Sequence, residues 1–259
     1  MKKILLISTI SFLVSCSHVL DFKQPGNRFI LPETSGKTLG GSAGIAYSQG
    51  TKVTTGSIYT DYIFPSENTS NSEASLDRSR GVGIFGNLGL IERLDITYRS
   101  HHDTPATLGL KVQVFGEGEN KRSEGFKASV GFGYGSGSED KSDSTVAETS
   151  PDVDYKATLD INTLDFYATL GWRFNKKSLV YLSGFYTKYQ TETELLSLNG
   201  DFTSSRLEAD AKTSGINLGT QIYAGDAFAT LEIGVVKTKW DNQFSQTIVP
   251  LGFNIGATW

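Results

Sequence analysis

Ser100-His101-His102-Asp103 gathers a hydroxyl, two imidazoles and a carboxylate in four residues. Such groups can relay a proton to a nucleophile, or hold zinc or copper. Adjacent side chains on an extended chain point to opposite faces, which works against His101 and His102 meeting on one ion. Thr104-Pro105 follows, as in a connection between elements. The remaining histidine, His18, lies near the amino terminus, and no Ser/His/acid spacing demands catalysis. The expectation is a chain that is not an enzyme and has no cofactor. His101, His102 and Asp103 are weak metal candidates.

A second set of ionisable groups is spread along alternating segments. Arg93, Asp95 and Arg99 alternate with Leu94, Ile96 and Tyr98; Lys111 lies between Leu110 and Val112; Lys127 between Phe126 and Ala128. Asp165 lies between Leu164 and Phe166, Arg173 between Trp172 and Phe174, and Glu232 between Leu231 and Ile233. A period of two puts these charges on one face of a sheet. Charged rings of this kind select solutes in channels. Carrying both signs, the same residues can instead pair and fill a small barrel. The stretch 136–157 carries Glu139, Asp140, Asp143, Glu148, Asp152 and Asp154 against Lys141 and Lys156. Its spacing is not that of a calcium loop, and it reads as a solvated connection.

The one cysteine, Cys16, follows Met1-Lys2-Lys3 and the mainly apolar run 4–14. That run is shorter than the ~20 residues a helix needs to cross a bilayer, and a basic start before it has the form of a secretory signal. Leu13-Val14-Ser15-Cys16 resembles a bacterial lipobox. The resemblance implies cleavage before Cys16, acylation of its thiol and, with Ser17 in place of Asp, delivery to the outer membrane. Residues 1–15 are thus expected as a signal peptide, 16–26 as a lipidated linker and 27–259 as the folded domain. A single cysteine excludes a disulfide within the chain.

Strands must position all these groups. The net charge is −4, with 28 glycines, 15 phenylalanines and 11 tyrosines, so nucleic-acid binding has no electrostatic support. No run after Cys16 is long and apolar enough for a membrane helix. The carboxyl terminus alternates instead: Val249, Leu251, Phe253, Ile255, Ala257 and Trp259 against Pro250, Gly252, Asn254, Gly256 and Thr258. Its length suits a tilted membrane strand of about 9–11 residues. Similar alternation predicts strands near 38–48, 53–63, 81–90, 93–100, 106–115, 125–135, 158–174, 178–189, 209–223, 227–240 and 246–259. Short connections (48–52, 91–93, 175–178, 224–227) alternate with longer polar ones (65–79, 136–157, 190–206). Aromatics in 56–65 and 185–192 read as an interfacial girdle.

The alternation and the terminal Asn254-Ile255-Gly256-Ala257-Thr258-Trp259 resemble bacterial outer-membrane β-barrels, with Phe253, Ile255 and Trp259 as the insertion signal. The resemblance implies an all-β, antiparallel, up-and-down transmembrane barrel. Its ends share the periplasmic side, which requires an even strand count. Residues 27–33 would supply a twelfth strand, although Pro32 makes a poor one; ten is the alternative. Implied partners are outer-membrane lipid, the barrel-assembly and lipoprotein-sorting machinery and a small solute. The function expected is a narrow pore or transporter, with a structural or surface-interaction barrel as the alternative and a lipid- or peptide-modifying enzyme behind it.

Overall fold

A computed structural model describes residues 14–61, 69–71, 75–143, 155–198, 203–241 and 244–259. The described residues form thirteen strands: β1 (Val14–Pro25), β2 (Gly41–Asp61), β3 (Thr69–Asn71), β4 (Ser75–Ile91), β5 (Leu94–His101), β6 (Thr104–Phe115), β7 (Gly125–Asp143), β8 (Tyr155–Asn175), β9 (Ser178–Ser197), β10 (Ser205–Ala224), β11 (Ala227–Trp240), β12 (Phe244–Ile248) and β13 (Leu251–Thr258). Consecutive strands pair antiparallel from β4 to β11, and β11 then pairs with β13. β2 closes the ring, because one edge pairs with β4 from Gly41↔Leu88 to Thr54↔Ser75 and the other with β13 from Ser42↔Thr258 to Tyr47↔Phe253. Closure leaves no unpaired edge around the belt, which a backbone in lipid requires.

The ring has ten strands. Counting β12 and β13 as one strand interrupted at 249–250, twelve strands make up the sheet, and the two outside the ring are β1 and β3. The segments expected separately at 38–48 and 53–63 are one strand, β2. Residues 48–52 do not turn because both their edges are bonded, to β4 on one side and to β1 on the other. Gly50 is needed there: a Cβ would lie 2.1 Å from the Gln24 carbonyl oxygen.

β13 leaves the edge of β2 beyond Tyr47, where Pro250, without an N–H, breaks the ladder. β1 takes over that edge from Pro25↔Gly50 to Val14↔Asp61. Cys16 therefore pairs with Tyr59, at the end bearing the long connections and opposite Trp259. This corrects two expectations. Residues 16–25 are strand, not linker, and Cys16 and Trp259 do not share one side. After Pro25 the chain runs through the lumen to the short-turn end, where Glu119 and Asn120 donate backbone N–H bonds to the Thr34 and Ser35 carbonyls at 2.8 and 3.2 Å. Residues 27–33 are thus the filling of the barrel, not a strand of its wall.

The strands change polarity along their length. In β8, Leu164, Phe166, Leu170, Trp172 and Phe174 are exposed on the outer face, while Thr163, Asp165, Thr169 and Arg173 are buried inside. Nearer the long-connection end the order inverts: Tyr155, Ala157, Leu159 and Ile161 point inward, and Lys156, Asp160 and Asn162 point out. The lower part is a lipid-facing belt with a polar interior. The upper part resembles a soluble β protein, with an apolar core in which Leu20, Phe22 and Val53 of the β1–β2 ribbon pack on Leu159, Tyr189, Leu195 and Trp240. Phe22 lies 5.6 Å from the Tyr189 ring and 6.5 Å from that of Trp240. Tyr189, expected in the girdle, belongs to this core. The side chains of 57–65 lie outside the described residues, as do 144–154 of the acidic stretch; Glu139 and Asp140 are part of β7.

This division predicts unequal costs for one substitution. Leu159→Ala empties space in the upper core and should cost about 2–5 kcal/mol. Leu170→Ala, half exposed on the belt, leaves no enclosed cavity and should cost less than half as much. Urea unfolding midpoints of the detergent-folded variants measure both.

Candidate functional site

Inside the belt, residues 26–35 occupy the lumen and meet the inward charges of the wall. Alternation places Asp95 and Arg99 on the inner face of β5, Lys111 on β6, Lys127 on β7, Asp165 and Arg173 on β8 and Glu232 on β11. All are buried except Arg99, whose side chain is 18% exposed. Arg93 lies elsewhere: it is exposed in the β4–β5 turn, because the strand begins one residue later.

Glu33 is the central partner of the lower lumen. Its Oε1 accepts from Arg173 Nε at 2.8 Å and its Oε2 from Arg173 Nη2. Lys127 Nζ lies 3.9 Å from the same carboxylate, and Lys111 Nζ donates to the Glu33 carbonyl at 2.7 Å. Both Glu33 and Arg173 have fully buried side chains. Beside them Asp95 accepts from the Ser35 backbone N–H at 2.9 Å and its hydroxyl at 3.0 Å, and pairs with Lys111 at 3.4 Å. Gln113 Oε1 accepts from the Thr34 N–H at 2.9 Å. A fork-shaped guanidinium on a carboxylate is the strongest of these bonds and fixes direction as well as distance.

The upper lumen is built around Glu232 and Asp165. Glu232 accepts the backbone N–H groups of Arg28 and Phe29 at 3.0 and 2.6 Å and the Tyr181 hydroxyl at 3.0 Å. Asp165 pairs with Arg99 and accepts from the Thr187 hydroxyl, which in turn accepts from Arg28 Nη2 at 2.8 Å. Between these polar groups Phe29, Ile30 and Leu31 dock in small apolar patches: Phe29 with Phe85 and Phe228, Ile30 with Tyr167 and Phe185, Leu31 with Leu179 and Tyr181. The spaces left beside the middle of the segment are small and partly open, about 50 Å³ by Arg28 and Arg99 and about 20 Å³ by Ile30 and Lys111, while a wider recess of about 470 Å³ opens at the short-turn end beside Ser35 and Glu119.

Each end of the segment is tied down. At the long-connection end Lys23 clamps the β5–β6 turn: its N–H donates to the Asp103 carbonyl at 2.8 Å and its Nζ meets Asp103 Oδ2 at 2.7 Å. Burial raises the Asp103 carboxyl, but Lys23 outweighs it and holds the group below its ordinary range. At the short-turn end buried Glu119 bonds the Tyr223 hydroxyl, and burial pushes its carboxyl above the usual range.

The Ser100–Asp103 stretch does not assemble a relay. His101 points into the lumen between Gly81 and Gly83, and neither ring nitrogen has a partner. Ser100 takes the opposite face by alternation. His102 is 71% exposed, with Nε2 at 3.3 Å from Asp103. Among the described residues no group of three or more His, Cys, Asp or Glu is placed to hold a metal. Phe253, Ile255 and Trp259 are exposed on the outer face of the belt end. The Trp259 indole N–H donates to the Leu39 carbonyl at 3.1 Å. The chain's own segment 26–35 is the feature that the alternation in the sequence did not reveal. Its signal was the uneven charge of the inner face, which lacks a partner for Arg173 until Glu33 is counted.

No family model matches the chain, and no curated protein matches it. Among solved structures, Ail, the attachment invasion locus protein of Yersinia pestis in complex with the heparin analogue sucrose octasulfate, is 11% identical at a TM-score of 0.37, over 85% of this chain and 99% of that one. The outer membrane protease OmpT of Escherichia coli is 10% identical at 0.43, over 85% and 94%. The copper transporter OprC is 12% identical at 0.34, over 89% of this chain and 43% of that one. By its own strand pairing this chain is an antiparallel, up-and-down β-barrel.

Removing the Glu33 carboxylate leaves Arg173 and Lys127 buried without their counter-charge. Glu33→Ala should therefore cost about 3–5 kcal/mol, read as a lowered urea midpoint. An unchanged midpoint would mean that the segment contributes nothing to the stability of the wall.

Proposed function

We propose that this barrel is closed to solutes by its own amino-terminal segment, and that it works through its upper extension as a surface-interaction protein. The observation that carries the reading is the occupied lumen: residues 26–35 pair with the inward charges, leaving spaces of only about 50 and 20 Å³ beside residues 28–31. A charged inner face engaged in this way is a packed interior, not the lining of an open pore. The upper strands carry polar, mixed-charge outer faces, such as Arg206 between Glu192 and Glu208, and surround a core of their own. That construction suits a rigid platform for the long connections. A pore or transporter is the second reading, favoured by the polar character of the segment's bonds, which water can exchange.

Planar-bilayer recording tests the choice. The full chain should give no conductance steps above the lipid background, and steady conductance would overturn the closed reading. Steps that appear only in Glu33→Ala would favour a gated pore.

The lipid anchor is part of this proposal. With Trp259 on the periplasmic side, an acyl group on Cys16 would emerge at the cell-surface end, because β1 carries the chain there. Delivery would use the lipoprotein-sorting and barrel-assembly machinery. Radiolabelled palmitate should enter the wild type and not Cys16→Ser, while the variant stays in the membrane fraction through its barrel. Release of that variant as soluble protein would overturn the proposal.

A further inference from the structure

Lysines stand in a row across the outer face of the barrel. The register sets Lys188 of β9 opposite Lys212 of β10, and Lys212 opposite Lys239 of β11. Like charges directly opposite one another on one face of a sheet repel. Lys237 lies on the same face, two residues from Lys239. Asp210 engages Lys188 at 2.9 Å. Among the described residues Lys212, Lys237 and Lys239 make no ion pair. The other carboxylates on the outer face of these strands lie further from the belt. Asp160, Glu192 and Glu208 form a cross-strand row four residues beyond the lysines, about 13 Å along the strands. Arg206 bridges Glu192 and Glu208 there, and Asp241 lines the same recess.

The lysine row marks the upper end of the lipid-facing belt. Tyr186, Ile216 and Val235, exposed on the same strands, are the first apolar side chains below it. At this level the belt is dented. Val130, Ala168 and Gly184 lie side by side across β7, β8 and β9, and a Cβ at Gly184 would meet open space. Phe132, Phe166 and Tyr186 form the next cross-strand row, between that floor and the lysines. Together these residues line an open apolar depression of about 640 Å³. Lipid phosphates lie at the edge of the hydrocarbon, where each lysine strengthens their binding by about a factor of five. Cations above an apolar dent match the two parts of one lipid.

We propose that this face binds one phosphorylated lipid of the surrounding membrane. Its phosphate lies on Lys188, Lys212 and Lys239, and an acyl chain runs down past Tyr186 and Ser214 to the dent at Gly184. A free phosphate would use the lysines and leave the dent unfilled. A second copy docked here about a two-fold axis would bring two lysine rows to one interface. The inference goes beyond the closed-barrel reading and holds whether or not the barrel ever conducts.

Native mass spectrometry of the full chain in maltoside detergent, titrated with dioleoylphosphatidic acid, gives the test. One retained lipid per monomer is expected. Dioleoylglycerol, with the same chains and no phosphate, should need at least about tenfold more for half-saturation. Lys212→Ala with Lys239→Ala should raise the half-saturating phosphatidic acid about twenty-five-fold, a factor of about five for each lysine. Gly184→Leu fills the dent with the lysines intact and should raise it about threefold through lost dispersion contacts. Lys156→Ala, on the outer face away from the row, should match the wild type. Equal binding of the two lipids, or equal half-saturation in the wild type and the double variant, overturns the proposal. So does displacement of the lipid by an equal concentration of inorganic phosphate, which would make the site one for the free ion. A dimer that excludes lipid overturns it in favour of a second copy.

Discussion

Charge buried in a closed barrel must be paired, and in this protein the wall cannot do the pairing alone. Arg173 stands inward on β8 with Lys127 near it, and among the described residues neither has a wall carboxylate in contact. Glu33 reaches them only because the chain threads the lumen before it builds the wall. The same requirement places Arg28, whose backbone N–H engages Glu232 while its guanidinium reaches Asp165 through Thr187. The lumen segment is thus both filler and counter-ion, and the ten-stranded ring is completed around it. Removing one partner of such a pair costs far more than the pair contributes, because the remaining charge stays buried.

A second constraint comes from the change of solvent along the barrel axis. Where lipid surrounds the strands, apolar side chains face out and the interior can be polar; above the belt, water surrounds them and the apolar face must turn in. β8 makes the switch between Ile161 and Leu164 without any break in its hydrogen bonding. The upper interior then needs something apolar to pack against, and the β1–β2 ribbon supplies Leu20, Phe22 and Val53. That ribbon has a place because Pro250 ends the ladder of β13 and leaves the upper edge of β2 open. One imino acid therefore connects the termination of a wall strand with the entry of the plug.

Much of this was legible in the residues. The alternation of Leu164 to Phe174 and of Val249 to Trp259 gives lipid-facing strands directly, since period two and length follow from the local chain. The inward direction of Asp95, Lys111, Lys127, Asp165, Arg173 and Glu232 follows from the same parity. Arg93 did not obey it, because a strand boundary one residue away moves a side chain from the lumen to a turn. The inversion in β8 was also readable, as Leu159 and Ile161 fall out of phase with Leu164 and Phe166. Its meaning needed the neighbouring strands.

The sequence by itself determined the class of fold, the lipid-facing residues and the parity of the inward charges, because these depend on local periodicity and on the solvent each face meets. The tertiary structure alone decided that β2 is one strand, that the ring closes at ten, that residues 26–35 fill it and that Cys16 and Trp259 lie at opposite ends. Those facts rest on contacts between residues far apart in the chain, such as Glu33 with Arg173 and Pro25 with Gly50 on an edge that Pro250 vacates. Local periodicity carries no record of which distant partner an edge or a charge will find.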